Sequence, residues 1–306
     1  MNLRDLRYLV AVADHRHFGR AAEACFVSQP TLSAQLKKLE EFLGVQLVER
    51  TSRQVMLTPI GAEVAQRARY ILNTADDIVE VARAASDPFS GDFRLGLIPT
   101  VGPYLLPHLV PVMREAFPRL RPLLYEEQTA HCLEKLRRGE LDAVILAVPV
   151  EGAEGFAQLP LYDEPFVLAA PRDHALEENA PVSLDNLTSE RVLLLEEGHC
   201  LRDQALEICK LVGATNEREF RATSLETLRQ MVASGAGITL LPELAAQAGS
   251  GLANAGAVRM HRFSEPQPKR HIAILWRKGS AREATVKALG ETVQSLDAVR
   301  SLQQGI

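Results

Sequence analysis

Residues 18 to 44 narrow the possible folds of this chain more than any other stretch. Phe18, Ala21, Ala22 and Cys25 recur at the spacing of one helix face, with Cys25 read as core, and Leu32, Leu36, Leu39 and Leu43 mark the buried stripe of a second helix. Only Phe26-Val27-Ser28 separates them, which leaves room for a tight turn and little else. Ser28 suits an N-cap, Pro30 the first helical turn and Gly44 the stop. An amphipathic helix marked by Leu3, Leu6, Leu9, Val10 and Ala13 precedes the pair, so the spacing predicts a helix-turn-helix.

The outward face of the second helix carries Gln29, Thr31, Ser33, Gln35, Lys37 and Lys38, with Ser28 and Pro30 at its entrance. Such side chains hydrogen-bond base edges or phosphates in a major groove, although any solvated helix can be polar in this way. The next segment sharpens the reading. Leu47-Val48-Glu49-Arg50, the polar Thr51-Ser52-Arg53-Gln54 and Val55-Met56-Leu57-Thr58 predict a hairpin, a wing that carries Arg50 and Arg53 toward phosphates or the minor groove. Residues 1–58 hold eight Lys or Arg against six Asp or Glu, a net +2 in a chain whose total is −5. The asymmetry points toward a nucleic-acid contact of this segment but is too small to establish one, and the helix pattern makes double-stranded DNA the expected partner.

From Pro59 to residue 86, Val64, Ala68, Ile71, Leu72, Ala75, Ile78, Val79 and Ala82 continue at helical spacing. That helix serves either as a linker or as one more core element. After Asp87-Pro88-Phe89-Ser90-Gly91 short apolar runs alternate with helical segments. Residues 93–98, 141–146, 166–169, 192–195 and 272–276 are predicted strands, and the alternation predicts an α/β region with parallel strands. The 306 residues, 46% of them hydrophobic, can bury more than one core. No stretch reaches membrane-spanning length and the first residues lack the pattern of a signal peptide, so a cytoplasmic location and no membrane partner are expected.

Two of the four cysteines lie close together, in Glu197-Gly198-His199-Cys200-Leu201-Arg202-Asp203-Gln204-Ala205-Leu206-Glu207-Ile208-Cys209. Leu201, Ala205 and Ile208 form a helix stripe, so Cys200 is expected at a helix start, where unpaired N–H groups and the dipole favour a thiolate. His199 and Arg202 offer further positive charge there. Cys209 is expected in the core. Nine helical steps separate the two Cα atoms by about 13 Å and turn the side chains to opposite faces. A disulfide spans only about 4.4 to 6.8 Å, so a bridge would require the helix to unwind. Two readings stand on spacing alone: a cap residue and an ordinary core thiol, or a redox pair. Cys132, beside Leu133 and Leu136, reads as packing. The cysteines show no close Cys-x-x-Cys pair, so no metal is expected, and no phosphate loop or nucleophile motif suggests a cofactor or an enzyme.

Leu6-Arg7-Tyr8-Leu9-Val10-Ala11-Val12-Ala13, Phe18-Gly19-Arg20-Ala21-Ala22, Val27-Ser28-Gln29-Pro30-Thr31-Leu32-Ser33 and Leu57-Thr58-Pro59-Ile60-Gly61 closely resemble the LysR-type transcriptional regulators. Gly139-Glu140-Leu141-Asp142-Ala143-Val144-Ile145 and residues 233–242 extend the resemblance through the chain. It implies an α/β protein with a winged helix-turn-helix at 1–58, a linker and dimerisation helix at 59–88, and a regulatory domain at 89–306. That domain would have two Rossmann-like lobes of periplasmic-binding-protein type, lobe I at 89–163 and 268–306 and lobe II at 164–267. Crossovers are expected near 162–165 and 265–268.

Residues 96–108, 197–204 and 224–229 resemble the peroxide-sensing members of that family. This resemblance implies that Cys200 is the thiol that hydrogen peroxide oxidises and that Cys209 resolves it as a reversible disulfide. It also implies Thr100 and Thr129 beside the peroxide, where capping and turn chemistry explain them nearly as well. His199 would orient the peroxide or raise local positive charge, although a lone loop histidine more often does neither, and Arg270 would help stabilise the thiolate unless it is merely a solvated surface residue. Implied partners are DNA, RNA polymerase, a thiol reductant such as glutaredoxin with glutathione or thioredoxin, and further copies of the chain in a homodimer and homotetramer. Two alternatives remain: a regulator that senses a small metabolite in the inter-lobe cleft, and a thiol peroxidase carrying a DNA-binding domain.

Overall fold

The computed structural model of the chain describes residues 1–50, 55–84, 87–177, 180–188, 190–212, 215–248 and 255–304. It divides into two compact units, Met1–Ser86 with Arg138–Glu140 and Asp87–Arg137 with Leu141–Ile306. The first unit contains α1 (Leu3–His15), α2 (Phe18–Ala24), α3 (Gln29–Leu43), the antiparallel hairpin β1 (Val48–Arg50) and β2 (Val55–Leu57), and the long α4 (Pro59–Ala84). Local chemistry fixes the helix ends. Asn2 and Asp5 form a capping box on α1, Ser28 accepts the Thr31 N–H at the start of α3, and Gly44 closes α3 at φ 69°. Leu9, Val12, Ala21, Ala22, Leu32, Leu36, Leu39 and Leu47 form the core beneath. Glu40 ties the hairpin to α3 by accepting the N–H groups of Leu47 and Val48 at 2.8 and 3.1 Å. Cys25 caps α2 and packs half-buried against this core.

The second unit runs β3 (Gly91–Leu97), α5 (Gly102–Ala116), β4 (Leu120–Glu126), α6 (Thr129–Arg137), β5 (Ala143–Val148) and β6 (Phe156–Pro171). It continues with β7 (Arg191–Leu195), α7 (Cys200–Val212), β8 (Thr215–Ala222), α8 (Leu225–Ala233), β9 (Thr239–Pro242) and α9 (Glu243–Ala248). Then follow β10 (Val258–Arg262), β11 (Lys269–Arg277), α10 (Glu283–Ser295) and α11 (Asp297–Gln304). Two hydrophobic cores result. One is built on β3, β5 and β11 with α5, α6 and α10; the other on the second half of β6 with β7, α7, α8 and β9.

The sheets are mixed rather than parallel, which corrects the expectation from alternation. β3 pairs in parallel with β4 and β5, and β7 with β8, but β11 runs antiparallel to β5 and β6, and β6 antiparallel to β9 and β10. The reason lies in the two passages between lobes. The 16-residue β6 carries the chain out of the first core and into the second, and β11 carries it back alongside; an outward and a returning strand in register must run in opposite directions. Among the described residues no helix is long and apolar enough to cross a membrane.

Candidate functional site

Three backbone turns converge on Cys200. The first follows β3, where Ile98-Pro99-Thr100 bends into α5 and the Ile98 carbonyl accepts the N–H groups of Val101 and Gly102, each at 2.9 Å. The second precedes α6 and presents Gln128 and Thr129. The third follows β7, where Gly198 adopts φ 97° and brings His199 and Cys200 into the first turn of α7. A Cβ on Gly198 would stand 2.7 Å from Oε1 of Gln128, whose side chain could give way, but the φ of 97° itself favours glycine. Ile98, Pro99, Thr100, Gln128, Thr129, Gly198, His199 and Cys200 line a narrow crevice. Thr129 places a buried hydroxyl there that has no hydrogen-bond partner within the protein. A hydroxyl left so is costly unless something polar meets it.

Thr100 is held from below. Arg270 is 2% exposed, which removes the solvated-surface reading; its Nη1 donates to Thr100 Oγ1 at 2.9 Å and its Nη2 to the Thr100 carbonyl at 2.8 Å. Its Nε and Nη2 also donate to Oε2 of Glu164 at 2.9 and 2.7 Å. Oε1 of Glu164 accepts the Leu244 N–H, near the start of α9, at 3.0 Å. Arg270 and Glu164 face each other in register on β11 and β6. The guanidinium charge is thus matched by a buried carboxylate, and Arg270 fixes Thr100. Val101, not Thr100, occupies the N-cap position of α5. Sequence reasoning gave no role to Glu164 or Gln128. The only signal for Glu164 was an acidic residue, next to Asp163, between the apolar runs on either side of the crossover.

The charges expected around Cys200 are arranged differently. His199 is 5% exposed, and burial lowers its pKa from the usual 6.5, partly offset by the charge of Glu196. Its imidazole is therefore neutral near pH 7. Arg202 reaches back to the Leu195 carbonyl at 3.4 Å and to Glu197 at 3.6 Å. Cys200 packs half-buried against the first core, whereas Cys209, on the opposite face of α7, is fully buried in the second with Leu201, Ala205 and Ile208. Burial pushes the Cys209 thiol up. It pushes Cys132 up to about 12, assisted by Glu127, and the Cys132 Sγ–H donates to the Glu127 carbonyl at 3.4 Å. All four thiols are free. Among the described residues no group of His, Cys, Asp and Glu side chains has the makings of a metal site.

On the first unit, Gln29, Pro30, Thr31 and Lys37 stand exposed along one side of α3, with Ser33 and Gln35 half-buried beside them. Ser28 Oγ lies 2.8 Å from Thr31 Oγ1 while capping the helix. Arg50 ends β1, but its side chain and the whole of Arg53 lie outside the described residues.

Residues 86–297 match the LysR substrate binding domain and residues 3–62 the bacterial regulatory helix-turn-helix protein, lysR family. The chain is 48% identical to a hydrogen peroxide-inducible genes activator of Dickeya chrysanthemi, across 96% of this chain and 95% of that one. It is 47% identical, over the same shares, to the DNA-binding transcriptional dual regulator OxyR of Escherichia coli K12. A solved full-length OxyR cysteine-to-aspartate variant from Pseudomonas aeruginosa superposes with a TM-score of 0.80 at 40% identity, covering 98% of this chain and 97% of that one. A winged helix-turn-helix, a two-lobed α/β domain and these full-length similarities show that the chain belongs to the LysR family of bacterial regulators, in its OxyR branch.

Proposed function

We propose that the chain is a DNA-binding transcriptional regulator that senses hydrogen peroxide through Cys200 and Cys209. The crevice at Cys200 carries the reading. It is too narrow to hold a metabolite-sized ligand, and its buried Thr129 hydroxyl lacks the partner that a small polar guest would supply. Thr100, Thr129 and His199 orient the peroxide. The Cys200 thiolate attacks one peroxide oxygen; a sulfur–oxygen bond forms, the O–O bond breaks, and the leaving oxygen departs as water after taking a proton. Cys209 then attacks the sulfenic sulfur, a sulfur–sulfur bond replaces the sulfur–oxygen bond, and a second water leaves. A thiol reductant such as glutathione with glutaredoxin, or thioredoxin, returns two electrons and restores both thiols.

The two thiols cannot meet while α7 is intact, since its nine steps hold their Cα atoms about 13 Å apart. Oxidation therefore withdraws Cys209, Leu201, Ala205 and Ile208 from the second core, and that repacking is the signal. In this reading residues 1–58 bind DNA, 59–88 pair two copies, and 89–306 sense; DNA-bound dimers and tetramers change geometry and alter contact with RNA polymerase. The protein is a cytoplasmic regulator, not a peroxidase. Peptide mass spectrometry after about one equivalent of peroxide, with free thiols trapped, should find a dominant, reductant-reversible Cys200–Cys209 link. Both thiols remaining free, or oxidation falling on Cys25 or Cys132, would falsify the proposal. Cys200→Ser should abolish the peroxide response of a promoter that the wild-type chain activates.

A further inference from the structure

Phe26 stands in the turn between α2 and α3, and nothing in folding accounts for its side chain. Helix α2 ends with the Val27 N–H donating to the Ala22 carbonyl and the Phe26 N–H donating to the Glu23 carbonyl, each at 3.0 Å. This pair of bonds is a Schellman motif, and it requires the left-handed conformation that Phe26 adopts at φ 54°. Glycine holds that position at no steric cost; a bulky side chain raises the energy of the folded backbone. Burial recovers none of that cost, because Phe26 is 95% exposed. Val27 and Ser28 fix the turn on either side of any choice made at 26, by core packing and by capping α3. A strained, exposed aromatic in an over-determined turn points to a contact outside the chain.

The place of the turn identifies the occupant. Phe26 precedes by two residues the N-cap of α3, and in a helix-turn-helix the N-terminal end of that helix enters the major groove. A side chain projecting just before that end meets the groove wall, where deoxyribose offers the apolar surface. We propose that Phe26 packs on deoxyribose of the DNA backbone, a contact that sets affinity and position without reading sequence. This rests on the DNA-binding reading.

The test uses the full reduced chain and duplexes that the wild type enriches from a random double-stranded DNA library. Fluorescence anisotropy at several salt concentrations gives the affinity of wild type, Phe26→Gly and Phe26→Leu for an enriched duplex and an unselected one. Phe26→Gly should weaken binding to both about tenfold, with an unchanged slope of log affinity against log salt, and should not lower Tm. Phe26→Leu should retain most of the affinity. Unchanged binding by Phe26→Gly overturns the proposal, as does a loss confined to the enriched duplex, which means base reading. A smaller oligomer mass for Phe26→Gly without DNA, at unchanged affinity, overturns it in favour of contact with a second copy. A wild-type chain that enriches no duplex overturns the DNA-binding reading itself, and this contact with it.

Discussion

Arg270 shows how one buried side chain can fix a turn beside Cys200. Its fork meets Glu164 on one side and Thr100 on the other, with both charges out of water. Removing only the cation leaves a buried carboxylate uncompensated. Arg270→Met should therefore cost about 3–5 kcal/mol in urea-unfolding free energy, and Arg270→Lys should recover less than half, because an ammonium cannot make the same planar set of bonds. His199 supplies a second residue-level prediction. Its proton affinity is lower in the folded chain than in the unfolded one, so below the ordinary pKa of 6.5 the unfolded chain binds more protons. The stability that the neutral ring contributes is complete above that pH and declines as pH falls through it. Thermal unfolding between pH 7.5 and 5.5 should show a steeper loss for wild type than for His199→Gln; equal slopes would remove His199 from the account.

Helix α7 is the element on which the proposed switch depends, since its first residue lies at the crevice and Cys209 lies in a different core. Every step that loosens the helix brings the thiols nearer. Glu207 is exposed on α7, so Glu207→Gly lowers helix propensity by about 1 kcal/mol without opening a cavity. Rapid-quench mass spectrometry should then record Cys200–Cys209 bridging about fivefold faster, if helix opening limits the rate. In the first unit the corresponding element is the start of α4. A Cβ on Gly61 would lie 1.9 Å from the Leu47 carbonyl oxygen, so the hairpin and α4 approach more closely than any other residue allows. Gly61→Ala should separate them and weaken DNA binding, which anisotropy against the same enriched duplexes will measure.

At the scale of the whole sensing unit, β6 and β11 run side by side, with the Arg270–Glu164 pair between them, and they connect both cores to the Thr100 turn. In the proposed switch, oxidation strips part of the second core while the paired strands of the first remain. Hydrogen exchange of the peroxide-treated chain should therefore rise across 201–209 and stay unchanged in β3 and β5. Protection of α7 in the disulfide form would mean that the bridge forms without unwinding.

Much of this was legible in the amino-acid order because it rests on local rules. The stripe at Leu32, Leu36 and Leu39, the Ser28 cap and the Gly44 stop specify a helix-turn-helix from neighbours within a few residues of each other. The placement of Cys200 at a helix start and Cys209 on the opposite face follows from helix geometry alone. Other features depend on residues distant in sequence and so were settled only by tertiary packing. The strand directions, the burial of Arg270 against Glu164, the neutral His199 and the narrow crevice where Gly198 approaches Gln128 belong to this group. Each arises where separate segments meet in a low-dielectric interior, and no periodicity records which partner a buried charge or a close glycine will find.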